Sequence, residues 1–458
     1  MPKKIRFIHT GDIHLGSPLN CGGEPPEGLA SSFKHGGHHA LELIFNKARE
    51  YAVNFVIIAG DLYDQEARSV AASRFFGEQC RKLQAAGIFV YVISGNHDPH
   101  STGGEPFLLP ENVFHFSSEE VDSYDIQDSD GNLRGRILGQ SYRSKFESRK
   151  MYSYYTVADQ EVYNLGILHT QLDPHNPNYV PVSKGELMEK DDIDYWALGH
   201  IHRLQIINLL KPTIVYPGTP QGRNVNEEGL KGCLLVEVAG NSTPDICFIP
   251  TSPVIYKKLT VAIDDQPQIP RNLTDLENIL IRKAELLLKK DPAQLVPETS
   301  EKLTVESDFN PDLIEGYIVR WVVQGRGPVH RFIENNREEV TIELLATLNR
   351  KFKDRKPFLW SHSILLITGQ ELPVMEGLLA ENKVFKEVNR VVNDILTKKE
   401  LKSELLDYWG SIWEENPDYE NQDSVRFYAD QELLAEIIQL ARQKIIEELI
   451  CGGEENCE

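Results

Sequence analysis

At 458 residues and 52.0 kDa, with 41% hydrophobic side chains, the chain exceeds one ordinary core and is expected to form two or three domains. Its net charge of −21 excludes a protein that is basic throughout and holds polyanions by bulk charge. Without a run of about 18 apolar residues or a signal-peptide core in the opening MPKKIRFIHTGDIH, a soluble, cytoplasmic protein with no membrane association is expected.

Residues 1–253 alternate short apolar runs with helical stretches. KIRFIHT, FVIIAGD, IFVYVISGN, YNLGILHT, DYWALGH, PTIVYPG and KGCLLVEV read as strands. ALELIFNKAREYA and RFFGEQCRKLQAAG carry apolar residues at a spacing near 3.6 and read as helices. The strands are apolar nearly throughout, which predicts an α/β layered domain whose sheets are covered on both faces. His35, His38 and His39 read as surface residues of a glycine-containing loop before the first helix.

A boundary is expected near Pro250 to Pro253. Residues 254–370 read as a small α+β unit: YKKLTVAI, GYIVRWVVQG and HSILLITG as strands, LTDLENILIRKAELLLKK and VTIELLATLNRKF as helices. DPAQLVPETSEKLTVESDFNPD between them reads as an exposed loop. Residues 371–450 read as an acidic amphipathic helical region that needs a partner surface, and 451–458 as a disordered tail. From Glu371 onward there are 21 acidic and 9 basic side chains, so more than half of the negative excess lies outside the first domain. Six cysteines (Cys21, Cys80, Cys233, Cys247, Cys451, Cys457) lack a CxxC pair, which fits reduced thiols.

Five polar motifs close apolar runs in the first 202 residues: DIH at Asp12, GDLYD at Gly60, GNHD at Gly95, the lone His169, and GHIH at Gly199. Asp12 with His14, and His200 with His202, stand at i and i+2, so each pair can face one side of a strand end. Gly11, Gly60, Gly95 and Gly199 would let the backbone turn tightly there. Two carboxylates, a carboxamide and several imidazoles, with no thiolate, suit two Mn²⁺ ions, or Fe²⁺, better than an all-oxygen Mg²⁺ site or a structural Zn²⁺ site. Such a pair can clamp the attacking and leaving oxygens of an in-line displacement at phosphorus.

Asp12, His14, Asp61, Asn96, His97, His169, His200 and His202 resemble the calcineurin-like metallophosphoesterase signature. FIHTGDIHLGSPL, IAGDLYD, GNHDP, GILHT, YWALGHIH and YPGTPQGR resemble the SbcD and YhaO-type DNA double-strand-break repair exonucleases. The resemblance covers residues 4–250 and implies a two-sheet sandwich flanked by helices, followed by a small α+β capping domain and a C-terminal helical region. It implies that Asp12, His14 and His202 hold one metal, that Asn96, His169 and His200 hold the second, and that Asp61 bridges them. His97 would stabilise charge at the scissile phosphate and protonate the leaving oxygen. Asp64 matches the position that orients this histidine in related phosphatases, although nuclease relatives vary there; a helix cap is the alternative for the same residue.

The resemblance further implies hydrolysis of DNA phosphodiesters, exonucleolytic first and endonucleolytic as a second mode, by a homodimer working with an SbcC-like coiled-coil ATPase. Arg143, Lys145, Arg149 and Lys150 in SYRSKFESRK are candidate DNA contacts; a solvated surface loop is the alternative. A phosphodiesterase for a small nucleotide or lipid headgroup is the second functional reading. A scaffold without catalysis is the third, disfavoured because no metal-ligand position is missing.

Overall fold

The structure, a computed structural model, describes residues 4–64, 69–102, 106–127, 130–157, 162–173, 178–240, 242–296, 303–307, 309–370, 383–398, 400–401, 405, 437–442 and 444–445. Contacts divide the chain into two compact units, Met1–Val261 with Glu277–Val322 and Glu338–Leu365, and Ala262–Leu276 with Val323–Arg337 and Leu366–Glu458.

The first unit holds two large sheets. In chain order their strands are β1 (Lys4–Thr10), β2 (Phe55–Ala59), β3 (Phe89–Ile93), β4 (Val113–His115), β5 (Asp122–Gln127), β6 (Leu133–Gly139), β7 (Tyr163–His169), β8 (Tyr195–Gly199), β9 (Gln205–Asn208), β10 (Thr213–Tyr216), β11 (Gly232–Ala239) and β12 (Asp245–Pro250). A further strand, β14 (Thr304–Val305), follows β13 (Val254–Ala262). One sheet has the order β14-β12-β11-β1-β2-β3-β4 and the other β5-β6-β7-β8-β10-β9. The run β1 to β4 is parallel, as are β6, β7, β8 and β10, so the carboxyl ends of each run share one edge.

Period-two alternation explains the layers. In β2, Phe55, Ile57 and Ala59 join Phe7 of β1 and Leu165, Ile167, Tyr195 and Ala197 of β7 and β8 in one core between the sheets. The alternate residues Val56 and Ile58 face the other way. They pack on Leu41, Ile44 and Phe45 of α1 (Ala30–Glu50) and on Phe76 and Leu83 of α2 (Val70–Ala85). The far face of the second sheet buries Trp196, Leu198 and Ile214 against Met151, Tyr155, Val182 and Leu187, the last from α3 (Lys184–Met188). Covered on both faces, these strands carry no polar face, which is why their sequences read as unbroken apolar runs.

A third sheet has the order β13-β15-β16, with β15 at Gly316–Arg326 and β16 at Phe358–Gly369. Helices α4 (Leu273–Lys289) and α6 (Arg337–Phe352) accompany it; α6 buries Val340, Leu344, Leu348 and Phe352 at the i, i+4 spacing of one face. In the second unit, α5 (His330–Asn335) places His330 Nδ1 3.0 Å from Thr368 Oγ1, and α7 (Lys383–Thr397) packs Val392 on Ile438.

Every strand and helix expected within residues 1–370 is present. Several elements were not expected. β5 (DSYDIQ) is a polar edge strand, and β14 adds a strand inside the stretch read as an exposed loop. Glu306, next to β14, is buried and holds Lys47 Nζ at 2.7 Å and the Tyr51 hydroxyl at 2.6 Å. His35, His38 and His39 lie inside α1, which starts at Ala30, because Gly36 and Gly37 are buried on its inner face, where a Cβ at Gly36 would press on Leu19. Much of 371–450 and all of 451–458 lie outside the described residues. Among the described residues no helix is long and apolar enough to cross a membrane, and Cys21, Cys80, Cys233 and Cys247 are free thiols.

Candidate metal centre

All seven predicted ligands stand at or just beyond the carboxyl ends of β1, β2, β3, β7 and β8, so the two sheets bring them to one edge. The loops after β1 and β2 remain paired: the Asp12 N–H donates to the Gly60 carbonyl at 3.0 Å and the His14 N–H to the Asp61 carbonyl at 3.0 Å. Four ligands take the left-handed region themselves, Asp12 at φ 51°, His14 at 48°, Asp61 at 49° and His200 at 98°. Each such residue costs about 1–3 kcal/mol and persists only where its surroundings over-determine it. Of the glycines expected to provide the turns, Gly60 has positive φ, at 94°. Gly95 and Gly199 serve close approach instead: a Cβ would strike the Asp61 carboxylate from the first and the Ala59 carbonyl from the second.

The donor atoms meet in two groups. His14 Nε2 lies 3.3 Å from His202 Nε2 and 3.8 Å from Asp61 Oδ2, and His202 Nε2 lies 3.9 Å from Asp12 Oδ1. His169 Nε2 lies 2.9 Å from Asn96 Oδ1 and 3.4 Å from Asp61 Oδ2, and His200 Nδ1 lies 3.0 Å from the same Asn96 oxygen. Asp61 faces both groups.

Hydrogen-bond accounting tests whether cations fit. His169 Nδ1 donates to the Ala59 carbonyl at 2.9 Å, so a neutral ring turns its Nε2 lone pair toward two acceptor oxygens. His202 Nδ1 donates to Glu227 Oε1 at 2.8 Å, so its Nε2 lone pair faces His14 Nε2. The His14 ring is buried and its Nδ1 has no hydrogen-bond partner. Lone pairs and carboxylates converging in a largely buried site repel one another unless a cation sits among them, and the outer nitrogens of His169 and His202 are held in the tautomer a metal requires. The residues present therefore fit two divalent ions.

Protonation follows the same logic. Burial holds His14 well below the usual imidazole range, and the Arg223 charge adds to this. Burial pushes Asp12 up, although His202 and His169 oppose it. At His169, burial works against the proton, but the Asp61 carboxylate wins and raises it to about 9. A divalent ion would take the place of that proton.

His97 stands beside both groups, its ring 4.8 Å from that of His14. Its N–H donates to Asp61 Oδ1 at 2.9 Å, and its Nδ1 lies 3.5 Å from Asp64 Oδ1. Asp64 also accepts from Ser17 Oγ at 3.1 Å and Arg223 Nη1 at 3.3 Å; the hydrogen bond with His97, and then the charges of His97 and Arg223, hold its carboxyl below the usual range despite burial. The cap of α2 is Ser69, whose side chain accepts from the Ala72 N–H.

Asp98, the last residue of GNHD, accepts from the N–H groups of Leu62 at 2.9 Å, Tyr63 at 3.2 Å and Gly95 at 2.7 Å, clamping the β2 and β3 loops together. Burial, reinforced by the Asp61 charge, raises it to about 7. Glu227 orients His202 and also accepts from the Arg223 N–H at 2.7 Å. Burial pushes Glu227 up, but His202 keeps it at about 2. Sequence reasoning gave none of these three residues a role. Asp98 in GNHD and Arg223 in YPGTPQGR were signalled by their places in motifs, whereas Glu227 becomes visible only through the partners that folding brings to it.

Of the candidate DNA contacts, Arg143 pairs with Glu119 and Lys150 with Glu186 at 3.0 Å. Arg149 donates from Nε and Nη2 to the buried Glu147 at 2.8 and 2.5 Å and from Nη1 to the Ser118 carbonyl at 3.0 Å. Lys145 is exposed.

Residues 5–204 match the family profile described as calcineurin-like phosphoesterase. The chain is 30% identical over 361 residues, 78% of its length and 80% of the relative's, to the uncharacterized metallophosphoesterase YhaO of Bacillus subtilis. It is 27% identical over 253 residues to the DNA double-strand break repair protein Mre11 of Methanocaldococcus jannaschii, covering 52% of this chain and 63% of that one. It is 28% identical over 102 residues to the SbcD component of the SbcCD nuclease of Escherichia coli, covering 22% and 23%.

Proposed function

Because the chain belongs to the calcineurin-like metallophosphoesterases, with YhaO, Mre11 and SbcD among its relatives, we propose that it is a manganese-dependent DNA nuclease that hydrolyses phosphodiesters in break processing. The observation that carries the chemistry is the convergence of seven donor side chains at one sheet edge, with His97 beside them. The DNA reading draws its support from the relatives named as a break-repair protein and as part of a nuclease.

Asp12, His14 and His202 would hold one ion, Asn96, His169 and His200 the other, and Asp61 both. When bound, two divalent ions supply the charge that accepts a phosphodiester and they acidify an attacking water. Asp64 lies against the Nδ1 edge of the His97 ring, so the proton for the leaving oxygen would come from the opposite edge, with Nε2. Arg223, on the far oxygen of Asp64, keeps that carboxylate ionised and in place.

In this reading the region 254–370 guides DNA, and 371–450 docks on the coiled-coil base of an SbcC-like ATPase in a complex built on a homodimer. Purified protein with Mn²⁺ should degrade end-labelled linear duplex, with or without the co-expressed ATPase. His97→Ala should lower the rate by about 100-fold or more while both metals stay bound. Full activity in that variant would contradict the assignment.

A further inference from the structure

Among groups that this chemistry leaves unused, the rings leading away from His200 form a continuous path. Tyr179 stacks on the His200 imidazole with ring centroids 5.0 Å apart and planes at 29°. Phe146 follows, 6.3 Å from Tyr179 and tilted by 56°, and is 58% exposed. A single exposed phenylalanine is ordinary; this one is joined through Tyr179 to the ring of a metal ligand.

The segment carrying Phe146 is fixed by bonds that do not involve its ring. The Glu147 N–H donates to the Asn178 carbonyl at 2.8 Å and the Val180 N–H to the Glu147 carbonyl at 2.7 Å, pairing Glu147 with Tyr179. The buried Glu147 carboxylate is gripped by Arg149, which also reaches Ser118. Arg149 thus acts as a clamp. Lys145, exposed beside Phe146, brings positive charge to the same stretch, whereas Arg143 is held by Glu119.

We propose that Phe146 and Tyr179 form a stacking ledge for an unpaired nucleobase of the substrate strand, next to the scissile phosphodiester. The proposal rests on the nuclease reading and adds what the site takes: a single strand or a frayed end, whose base has a free face. Inside a duplex both faces of a base are covered by its neighbours. Stacking on a ring also suits any base, so the ledge orders the strand without reading its sequence. Because the clamp holds the ledge before substrate arrives, little ordering is left for binding to do.

The test uses single-stranded oligonucleotides with one abasic residue scanned across the cleavage point, cut by the full-length protein in Mn²⁺. Wild type should show about a tenfold rise in KM when the abasic residue falls at one position, with kcat changing far less. Phe146→Ala should raise KM about tenfold for the intact strand and lose the dependence on that position, and Phe146→Trp should restore both. 2-Aminopurine at that position should be quenched on mixing with wild type, before cleavage, and not with Phe146→Ala. Wild type that cuts DNA with no positional dependence, or Phe146→Ala that discriminates as wild type does, overturns the ledge alone. Wild type that neither binds nor cuts DNA overturns the nuclease reading and the ledge with it.

Discussion

Glu227 shows how much of a metal centre is set by residues that never touch the metal. Its carboxylate accepts a hydrogen bond from the Nδ1–H of His202 at 2.8 Å, which fixes the tautomer and aims Nε2 at the donor group of His14 and Asp12. Glu227→Gln keeps the size of the side chain and removes the charge, so Mn²⁺ affinity should fall by about 10- to 100-fold, with folding preserved. Titration of the apoprotein with Mn²⁺ reads this directly; unchanged affinity would mean that Glu227 only braces the Arg223 loop. At this scale the sequence was informative where chemistry is packed into a few consecutive residues, as in DIH, GNHD and GHIH. It gave no sign of Glu227 and no role to Arg223, the last residue of YPGTPQGR, because their partners His202 and Asp64 are 25 and 159 positions away in the chain.

The elements deliver these residues through the ends of parallel strands, and the tolerance there is small. A Cβ on Gly199 would collide with the Ala59 carbonyl, the same oxygen that accepts from His169. Gly199→Ala should therefore destabilise the apoprotein by about 2 kcal/mol or more. Gly23→Ala, where nothing lies within 4 Å of the added carbon, should stay within about 0.5 kcal/mol. Denaturant unfolding of the two variants compares them, and equal effects would remove the close-approach argument.

Helix α1 carries a separate, pH-dependent strain. Burial beside the Phe75 ring, with the charges of His35 and His39 adding to it, lowers His38 to about 4. The unfolded chain then binds the proton more readily than the folded one between about pH 6.5 and 4, so stability falls as pH falls through that window. His39, raised chiefly by its hydrogen bond to Glu315, works in the opposite sense. His38→Gln should flatten the acid limb of the stability curve, and an unaltered limb would assign the loss to other groups. The helix itself was legible from Ala40 onward by its apolar spacing; its first turns were not, because two adjacent glycines imitate a loop while letting the helix lie close to Leu19 at Gly36 and to the Ile13 carbonyl at Gly37.

Across the whole molecule, the centre exists because two sheets end at one edge: Asp12, His14, Asp61 and Asn96 come from the sheet containing β1 to β3, and His169, His200 and His202 from the sheet containing β7 and β8. The layered α/β class followed from strand and helix periods alone. The pairing of the sheets did not, since it is made by side chains far apart in the chain, Phe55 and Ile57 of β2 on Leu165 and Ile167 of β7, and an apolar run carries no mark of the run it will pack against. What the family resemblance added was the expectation that these residues work together, and the geometry of Asp61 is where that expectation is most exposed, because one oxygen of its carboxylate lies 3.8 Å from His14 Nε2 and 3.4 Å from His169 Nε2, between the two donor groups. Equilibrium dialysis of the apoprotein against Mn²⁺, followed by metal analysis and electron paramagnetic resonance, tests it most directly. Wild type should bind two Mn²⁺ per chain as a spin-coupled pair, and Asp61→Asn should lose the coupling; a single bound ion, or two uncoupled ions in wild type, would contradict the two-metal account.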